Sequence, residues 1–273
     1  MNSDEKKVLL EVCCGSAQAA RDAFEAGADR VELNSTLSLG GLTPSMASFL
    51  QARACSKKPI ICMVRERPCG FCYTPEEQET MLESARLFLE NGADGIAFGF
   101  LEEDGSLDEE PVRKMTELIH SYGKEAVFHR ALDVSSDPDA VLEKLCALGV
   151  DRVLSSGHES SALHELALER LARWNRQFQG SLQILPGCGI NSLNVQTVLE
   201  KTGADQIHSS CKAQLSDPTT VTESVSFACD PADDKGIWPD ADKESVAKMK
   251  AVLDSLSASK EDPETVSDHD KMN

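Results

Sequence analysis

The chain has 273 residues, of which 41% are hydrophobic and 27% are charged, and its formal net charge is −19. This composition is typical of a folded globular protein, and the negative charge, without any Lys- and Arg-rich cluster, argues against nucleic acid or an anionic membrane as partner. The sequence has no apolar run long enough to span a bilayer and no secretory signal at its start, so we expect a cytoplasmic protein with reduced cysteines.

Short apolar and β-branched runs predict eight strands, in chain order at residues 7–13, 30–34, 59–65, 94–100, 125–130, 151–155, 182–186 and 206–210. Helical periodicity fills the intervals and predicts helices at residues 16–26, 45–56, 75–91, 109–122, 137–148, 162–178, 192–202 and 242–257. This alternation predicts an α/β fold, a (β/α)8 TIM barrel with eight parallel strands. The alternative, a doubly wound open sheet, usually has fewer strands, and no GxGxxG motif follows the first strand.

The chain is long enough for one such barrel, so we expect a single domain over residues 1–258. Residues 212–240 are rich in Ser, Thr, Asp and Pro, and predict a long loop before the last helix that can cover the barrel mouth or a subunit contact. Residues 259–273 predict a disordered acidic tail.

Two carboxylates are predicted to point into the barrel near its mouth, where the functional groups of parallel barrels lie. Strand alternation places Glu11 and Cys13 on one face of the first strand, and Glu32 and Asn34 on one face of the second. Glu11 and Glu32 can form a structural network with Arg65 that fixes strand register, or at least one of them can act directly in function.

Further charged residues at strand ends complete the candidate catalytic set. They are Arg65, His129, Arg130, Asp133 and His208. Two histidines near carboxylates suit general acid–base chemistry or metal ligation, and the arginines can hold an anion.

Small residues follow the seventh and eighth strands, where many barrels bind a phosphate through backbone N–H groups. Gly187, Gly189 and Ser210 are therefore candidates for binding a phosphorylated or otherwise anionic ligand. The alternative is that the glycines only form a tight turn.

Several cysteines fall near the predicted mouth, and thiolates favour Cu(I) or zinc over harder ions. They are Cys13, Cys14, Cys69, Cys72, Cys188 and Cys211. The pair Cys69 and Cys72 has the spacing of a redox motif but follows a strand instead of opening a helix, so a surface loop with two thiols is favoured and its role stays open. No organic cofactor is indicated.

A series of short motifs extends over about residues 8–211. They are Glu11-Val-Cys13, Gly27-Ala-Asp-Arg30-Val-Glu32-Leu33, Gly40-Gly41-Leu-Thr-Pro-Ser45, Met63-Val-Arg65, Phe98-Gly99, Phe128-His129-Arg130-Ala131, Ser156-Gly157, Pro186-Gly187 with Gly189-Ile190, and His208 with Ser210. In their order and spacing these motifs resemble the CutC family of copper homeostasis proteins. The resemblance implies a cytoplasmic TIM barrel that forms a homo-oligomer, a dimer or tetramer, and is associated with copper tolerance.

The family's proposed Cu(I) ligands are cysteines at the ends of the first two strands. The first corresponds to Cys13 and the second to Asn34, so Cys14 or another thiol at the mouth would have to complete a Cu(I) site. One hypothesis is therefore a copper homeostasis protein that binds Cu(I) through Cys13 and Cys14.

The alternative hypothesis is an enzyme that acts on a small anionic or sugar-like metabolite. In that case Glu11 or Glu32 would be the base and His129 or His208 the acid.

Overall fold

The computed structural model describes residues 7–228 and 236–258, and the predicted tail at 259–273 lies outside them. Its eight parallel strands are β1 (Leu9–Cys14), β2 (Arg30–Leu33), β3 (Ile60–Met63), β4 (Gly95–Phe98), β5 (Glu125–Phe128), β6 (Arg152–Ser155), β7 (Gln183–Pro186) and β8 (Gln206–Ser209). The helices are α1 (Ala17–Glu25), α2 (Met46–Cys55), α3 (Pro75–Glu90), α4 (Glu109–Ser121), α5 (Pro138–Ala147), α6 (Glu165–Gln177), α7 (Val195–Thr202) and α8 (Lys243–Ala258). Every predicted strand and helix is present.

The parallel strands follow the order β7-β6-β5-β4-β3-β2-β1-β8, so each strand from β1 to β7 lies beside its neighbour in sequence and β8 returns to β1. At the seam between β7 and β8, Gln206 Nε2 donates a hydrogen bond to Gln183 Oε1 at 3.0 Å. The sheet is therefore a nearly closed eight-stranded barrel, which confirms the predicted TIM-barrel fold.

The helices begin where the sequence supplies a cap. The Thr74 hydroxyl accepts from the Glu77 backbone N–H while the Glu77 carboxylate accepts from the Thr74 N–H, and Pro75 begins α3. At α1 and α2, the hydroxyls of Ser16 and Ser45 each accept one hydrogen bond from a backbone N–H of the first helical turn. Within residues 7–228 and 236–258, no helix is both long and apolar enough to cross a membrane.

The barrel interior is divided into an apolar and a polar half. On the β3 to β5 side, Ile61, Met63, Ala97 and Val127 form a small buried cluster of their own. On the β1, β2 and β8 side, the buried inward-facing residues are charged or polar. The larger core lies between the barrel and its helices and is built mainly of aliphatic and phenylalanine side chains.

The segment predicted as a long loop at 212–240 contains an antiparallel hairpin, β9 (Lys212–Ser216) paired with β10 (Ile237–Ala241). The long segment between β8 and α8 thus carries a strand at each end. Asp240 fixes the hairpin to the end of β1, because its carboxylate accepts from Gly15 N at 2.7 Å and Ser16 Oγ at 2.8 Å. Lys212 and Pro239 consequently reach the wall of the cavity at the barrel mouth.

Candidate functional site

A cavity of about 680 Å³ opens at the carboxyl ends of the strands. It is lined by the ends of β1 and β2, by the loops after β3 and β5, and by β8 with the hairpin that follows it. Seven of the predicted site residues contribute ionisable side chains to its wall: Cys13, Glu32, Arg65, His129, Arg130, Asp133 and His208. Ser210 also lines it.

Three donor groups meet on one side of this cavity, and we call them the acidic pole: Cys13, Glu32 and His208. One ligand atom from each lies within 4.8 Å of the others. Strand alternation places them there, because the β1, β2 and β8 registers bring Cys13 opposite Glu32 and Glu11 opposite His208. A thiol, a carboxylate and an imidazole can together ligate a metal ion or exchange protons.

Glu11 lies beneath the acidic pole, outside the cavity wall, with 1% of its surface exposed. Its carboxylate accepts from Arg30 Nε and, at 2.8 Å, from His208 Nδ1. Burial alone would raise the pKa of Glu11, but the Arg30 charge and His208 outweigh it and hold the pKa well below its ordinary value. The sequence analysis considered Arg65 as the partner of the buried carboxylates. In the structure, the partner of Glu11 is Arg30, which lies two residues before Glu32.

Glu11 also determines the state of His208. Burial lowers the pKa of this imidazole, but the hydrogen bond to Glu11 and the charge of Glu32 raise it above its ordinary value. Because Nδ1 donates to Glu11, Nε2 is the ring nitrogen left for the cavity.

The other two members of the acidic pole have raised pKa values. Burial and the neighbouring Glu11 charge raise the pKa of Glu32, although His208 and Asn34 oppose this. Burial and the Glu32 charge raise the pKa of the Cys13 thiol. Asn34 Nδ2 donates to Glu32 Oε2 at 2.9 Å and lies 3.4 Å from Cys13 Sγ. A ligand that needs the thiolate must therefore displace a proton.

Arg65, Phe71 and His129 form a second part of the wall, which we call the basic pole. The Arg65 guanidinium donates to the carbonyl oxygens of Leu39, Gly41 and Cys69 at 2.8–3.0 Å, and its Cζ lies 5.2 Å from the Phe71 ring centre. It forms no ion pair with any described carboxylate, although it is only 7% exposed. Its positive charge is thus surrounded by backbone carbonyl groups and the Phe71 ring.

His129 is a neutral hydrogen-bond donor. Burial and the nearby Arg65 charge lower its pKa to about 3. Nδ1 accepts from Ala131 N at 3.1 Å, so the proton of the neutral ring is on Nε2. Nε2 is buried and has no hydrogen-bond partner among the described residues. The ring fits because residue 99 is glycine, where a Cβ would lie 2.5 Å from His129 Cε1.

Arg130 and Asp133 form a tight ion pair after β5. Arg130 Nε donates to Asp133 Oδ2 at 2.7 Å. Asp133 also accepts from Ser155 Oγ at 2.6 Å and from Ser156 N at 3.0 Å, with 5% of its side chain exposed. With its oxygens occupied in this way, Asp133 fixes Arg130 and the loop after β6, which suits positioning better than the predicted catalysis.

The predicted anion-binding residues have different surroundings. Ser210 lines the cavity, but neither Gly187 nor Gly189 does. A Cβ at Gly187 would lie 2.6 Å from Leu154 Cδ1 and 3.3 Å from His208 Cβ, so this glycine makes room for His208. Gly189 has φ +81° and packs against Ser161. Both positions are explained by packing and turn geometry.

The structure does not bring the predicted thiols together. Cys14 is fully buried in the outer core on the opposite face of β1 from Cys13, because successive strand residues alternate. Cys211 is also a core residue, and Cys69 and Cys72 lie exposed in the loop after β3. Of the cysteines within residues 7–228 and 236–258, Cys13 and Cys188 line the cavity. Cys14 is therefore badly placed for the predicted metal site.

Met63 and Phe71 are among the cavity residues that the sequence reasoning missed. Met63 lies two residues before Arg65 on β3, so strand alternation could have placed it on the inner face. Phe71 is brought in by the loop after β3, where its ring centre lies 4.9 Å from that of His129. No periodicity in that loop could have indicated this contact.

Comparison with known proteins gives one consistent family. Residues 8–213 match the model of the CutC family. A CutC family protein from Treponema denticola is 42% identical over 215 residues, which are 79% of this chain and 86% of that protein. The human copper homeostasis protein cutC homolog is 41% identical over 205 residues, 75% of this chain and 74% of that protein.

Solved structures agree with this result. A structure of CutC from Streptococcus agalactiae has a TM-score of 0.68 at 26% identity, covering 74% of this chain and 98% of that one. Phosphoribosyl anthranilate isomerase from Thermotoga maritima has a TM-score of 0.55 at 12% identity, covering 91% of this chain and 100% of that one. The second likeness concerns the fold alone.

Proposed function

The chain belongs to the CutC family of copper homeostasis proteins, and from this we propose that it is cytoplasmic and binds Cu(I) at its barrel mouth. The supporting observation is the acidic pole, in which ligand atoms of Cys13, Glu32 and His208 lie within 4.8 Å of one another.

Two of the three groups of the acidic pole, the thiol of Cys13 and the imidazole of His208, suit Cu(I). A thiolate and an imidazole are both good ligands for Cu(I), whereas a carboxylate suits harder ions. We therefore assign Cys13 and His208 as the copper ligands and Glu32 as a neighbouring charge. Asn34, at the position of the family's second cysteine, supplies an amide that contacts Cys13 Sγ.

Residues around the ligands support this assignment. Glu11 accepts from Nδ1 of His208 and so fixes the tautomer and orientation that leave Nε2 for the ion. A carboxylate behind a ligating histidine is common in metal sites. Because burial raises the pKa of Cys13, copper binding must release its proton, and affinity should increase with pH.

The test is a titration of the reduced full-length protein with Cu(I) against a competing chelator. We expect one tight site that Cys13→Ser removes. Cys14→Ala is the matched control, because Cys14 is the adjacent thiol on the other face of β1 and its loss should leave the site intact. Equal affinity in wild type and Cys13→Ser would refute the proposal.

A second candidate function is an enzyme of acid–base chemistry on a small anionic or sugar-like metabolite. It is favoured by a cavity of about 680 Å³, which is far larger than an ion requires, and by the unpartnered donor of His129. Since Glu11 is paired and lies outside the cavity wall, Glu32 would be the base and His208 the acid.

This candidate is tested by incubating the metal-free protein with a metabolite extract in D₂O and following deuterium incorporation by mass spectrometry. We expect incorporation into a carbon-bound position with wild type and its loss with Glu32→Gln. The control is Glu83→Gln, a surface residue of α3 paired with Arg86. Absence of any protein-dependent incorporation would count against the enzyme.

A further inference from the structure

We propose that the basic pole binds the carboxylate group of a small organic ligand, whose remainder extends towards the acidic pole. This goes beyond the copper proposal, and it names the ligand chemistry of the second candidate, on whose cavity it rests.

The first argument is the charge of Arg65. Buried cations in proteins are normally paired with an anion, because an uncompensated charge is costly away from water. Arg65 is 7% exposed and lines the cavity, and its guanidinium donates to three backbone carbonyl groups but pairs with no carboxylate in the described ranges. The cavity is therefore a space next to Arg65 that can hold a counter-ion.

The second argument is the donor of His129. A buried N–H group without a partner loses free energy relative to water, so such groups are rare unless a ligand pairs with them. The Nδ1 side of the ring is engaged by its own turn through Ala131 N, and Phe71 packs on the ring. The Nε2–H is buried, belongs to a residue that lines the cavity, and has no described partner.

A carboxylate matches this pair better than a phosphate does. Arg65 supplies one positive charge and His129, being neutral, supplies a donor without charge, which balances a monoanion. Arg130 is neutralised by Asp133, so it adds little charge for a phosphate dianion. Elsewhere in the cavity wall, Glu32 and His208 offer an acceptor and a donor for a hydroxyl or amino group of the same ligand.

The experiment is isothermal titration calorimetry of the metal-free full-length protein with four probes: glycolate, glycerate, malate and inorganic phosphate. The neutral amide of any carboxylate that binds serves as its uncharged counterpart. We expect saturable binding of at least one carboxylate. Its amide should bind at least about tenfold more weakly, because the charge-assisted hydrogen bonds are lost.

Variants assign the binding to the basic pole. Arg65→Gln should weaken binding about tenfold or more. Arg67→Gln is the control, because Arg67 follows β3 on the same loop but pairs with Glu77 and does not line the cavity. These titrations use metal-free protein and do not depend on a copper site, so failure of the copper proposal leaves this one standing.

A spectroscopic readout covers the case in which Arg65→Gln fails to fold. In wild type, the ¹⁵N resonance of His129 Nε2 should shift on addition of the carboxylate, and exchange of its proton with water should slow. The proposal is overturned by an absence of saturable carboxylate binding, by binding of phosphate alone, or by binding that is unchanged in Arg65→Gln.

Discussion

Buried charges occur in two regions of the same barrel and are treated in opposite ways. Glu11, below the cavity, has a partner on each oxygen, Arg30 on one and His208 on the other. Arg65, in the cavity wall, is also buried but has no carboxylate partner in the described part of the chain. The comparison teaches that burial alone does not identify a functional charge. A charge satisfied by its neighbours holds the strands together, and one left unbalanced faces the place where a ligand binds.

Removing the paired charge should give the largest change in stability. We expect Glu11→Gln to lower the free energy of unfolding by about 3–5 kcal/mol, because Arg30 and His208 would lose their common anion inside the barrel. Urea unfolding followed by circular dichroism measures this. The surface variant Glu83→Gln should change stability by less than about 1 kcal/mol. Equal effects of the two variants would break the comparison.

Adding a second thiol next to Cys13 should sharpen the copper assignment. Asn34 Nδ2 lies 3.4 Å from Cys13 Sγ, so Asn34→Cys places a soft ligand where the family's second cysteine is expected. We expect Cu(I) affinity to increase by about tenfold or more, a change of about 1.4 kcal/mol, as measured by chelator competition. Asn91→Cys, at the exposed end of α3, is the control. An unchanged affinity in Asn34→Cys would argue that Cys13 is not a ligand.

The interaction between Glu11 and His208 should make the stability of the protein depend on pH. We expect this change in stability to be smaller than the changes predicted above. Because the fold lowers the pKa of Glu11, the ionised carboxylate stabilises the fold at pH values above 4.5, the ordinary pKa of a glutamate. This contribution is lost as pH falls through the folded-state pKa. The raised pKa of His208 stabilises the fold below its ordinary value of 6.5, and this contribution is lost as pH rises through the folded-state pKa. The stability difference between wild type and Glu11→Gln should thus be greatest between pH 4.5 and 6.5. A difference that keeps growing above pH 8 would contradict this account.

The fold could be predicted from the sequence because its signals are local and repeated. Helix caps such as Ser16 and Ser45, and junction glycines such as Gly203, mark each β/α unit, and eight units close into a barrel. The β9–β10 hairpin escaped prediction because its polar composition resembles a loop. Its position depends on long-range hydrogen bonds from Gly15 and Ser16 to Asp240.

For the candidate site, the sequence could predict only which strand side chains point into the barrel and which point outwards. Alternation placed Glu11, Cys13 and Glu32 inside the barrel, and the same rule, applied to Cys14, places it in the outer core. Which charges are paired could not be predicted, since the pairing of Glu11 with Arg30 and His208 depends on three strands distant in sequence. Likewise, the lack of a partner for His129 Nε2 depends on the whole environment of the ring.

The most direct test of the copper site is X-ray absorption spectroscopy of the protein loaded with one equivalent of Cu(I). The account predicts a first shell with one sulfur, from Cys13, and one imidazole nitrogen, from His208. Cys13→Ser should lose the sulfur, and Cys14→Ala should give the wild-type spectrum. A shell of sulfur atoms only, persisting in Cys13→Ser, would place the copper on other thiols such as Cys69 and Cys72 and contradict the account.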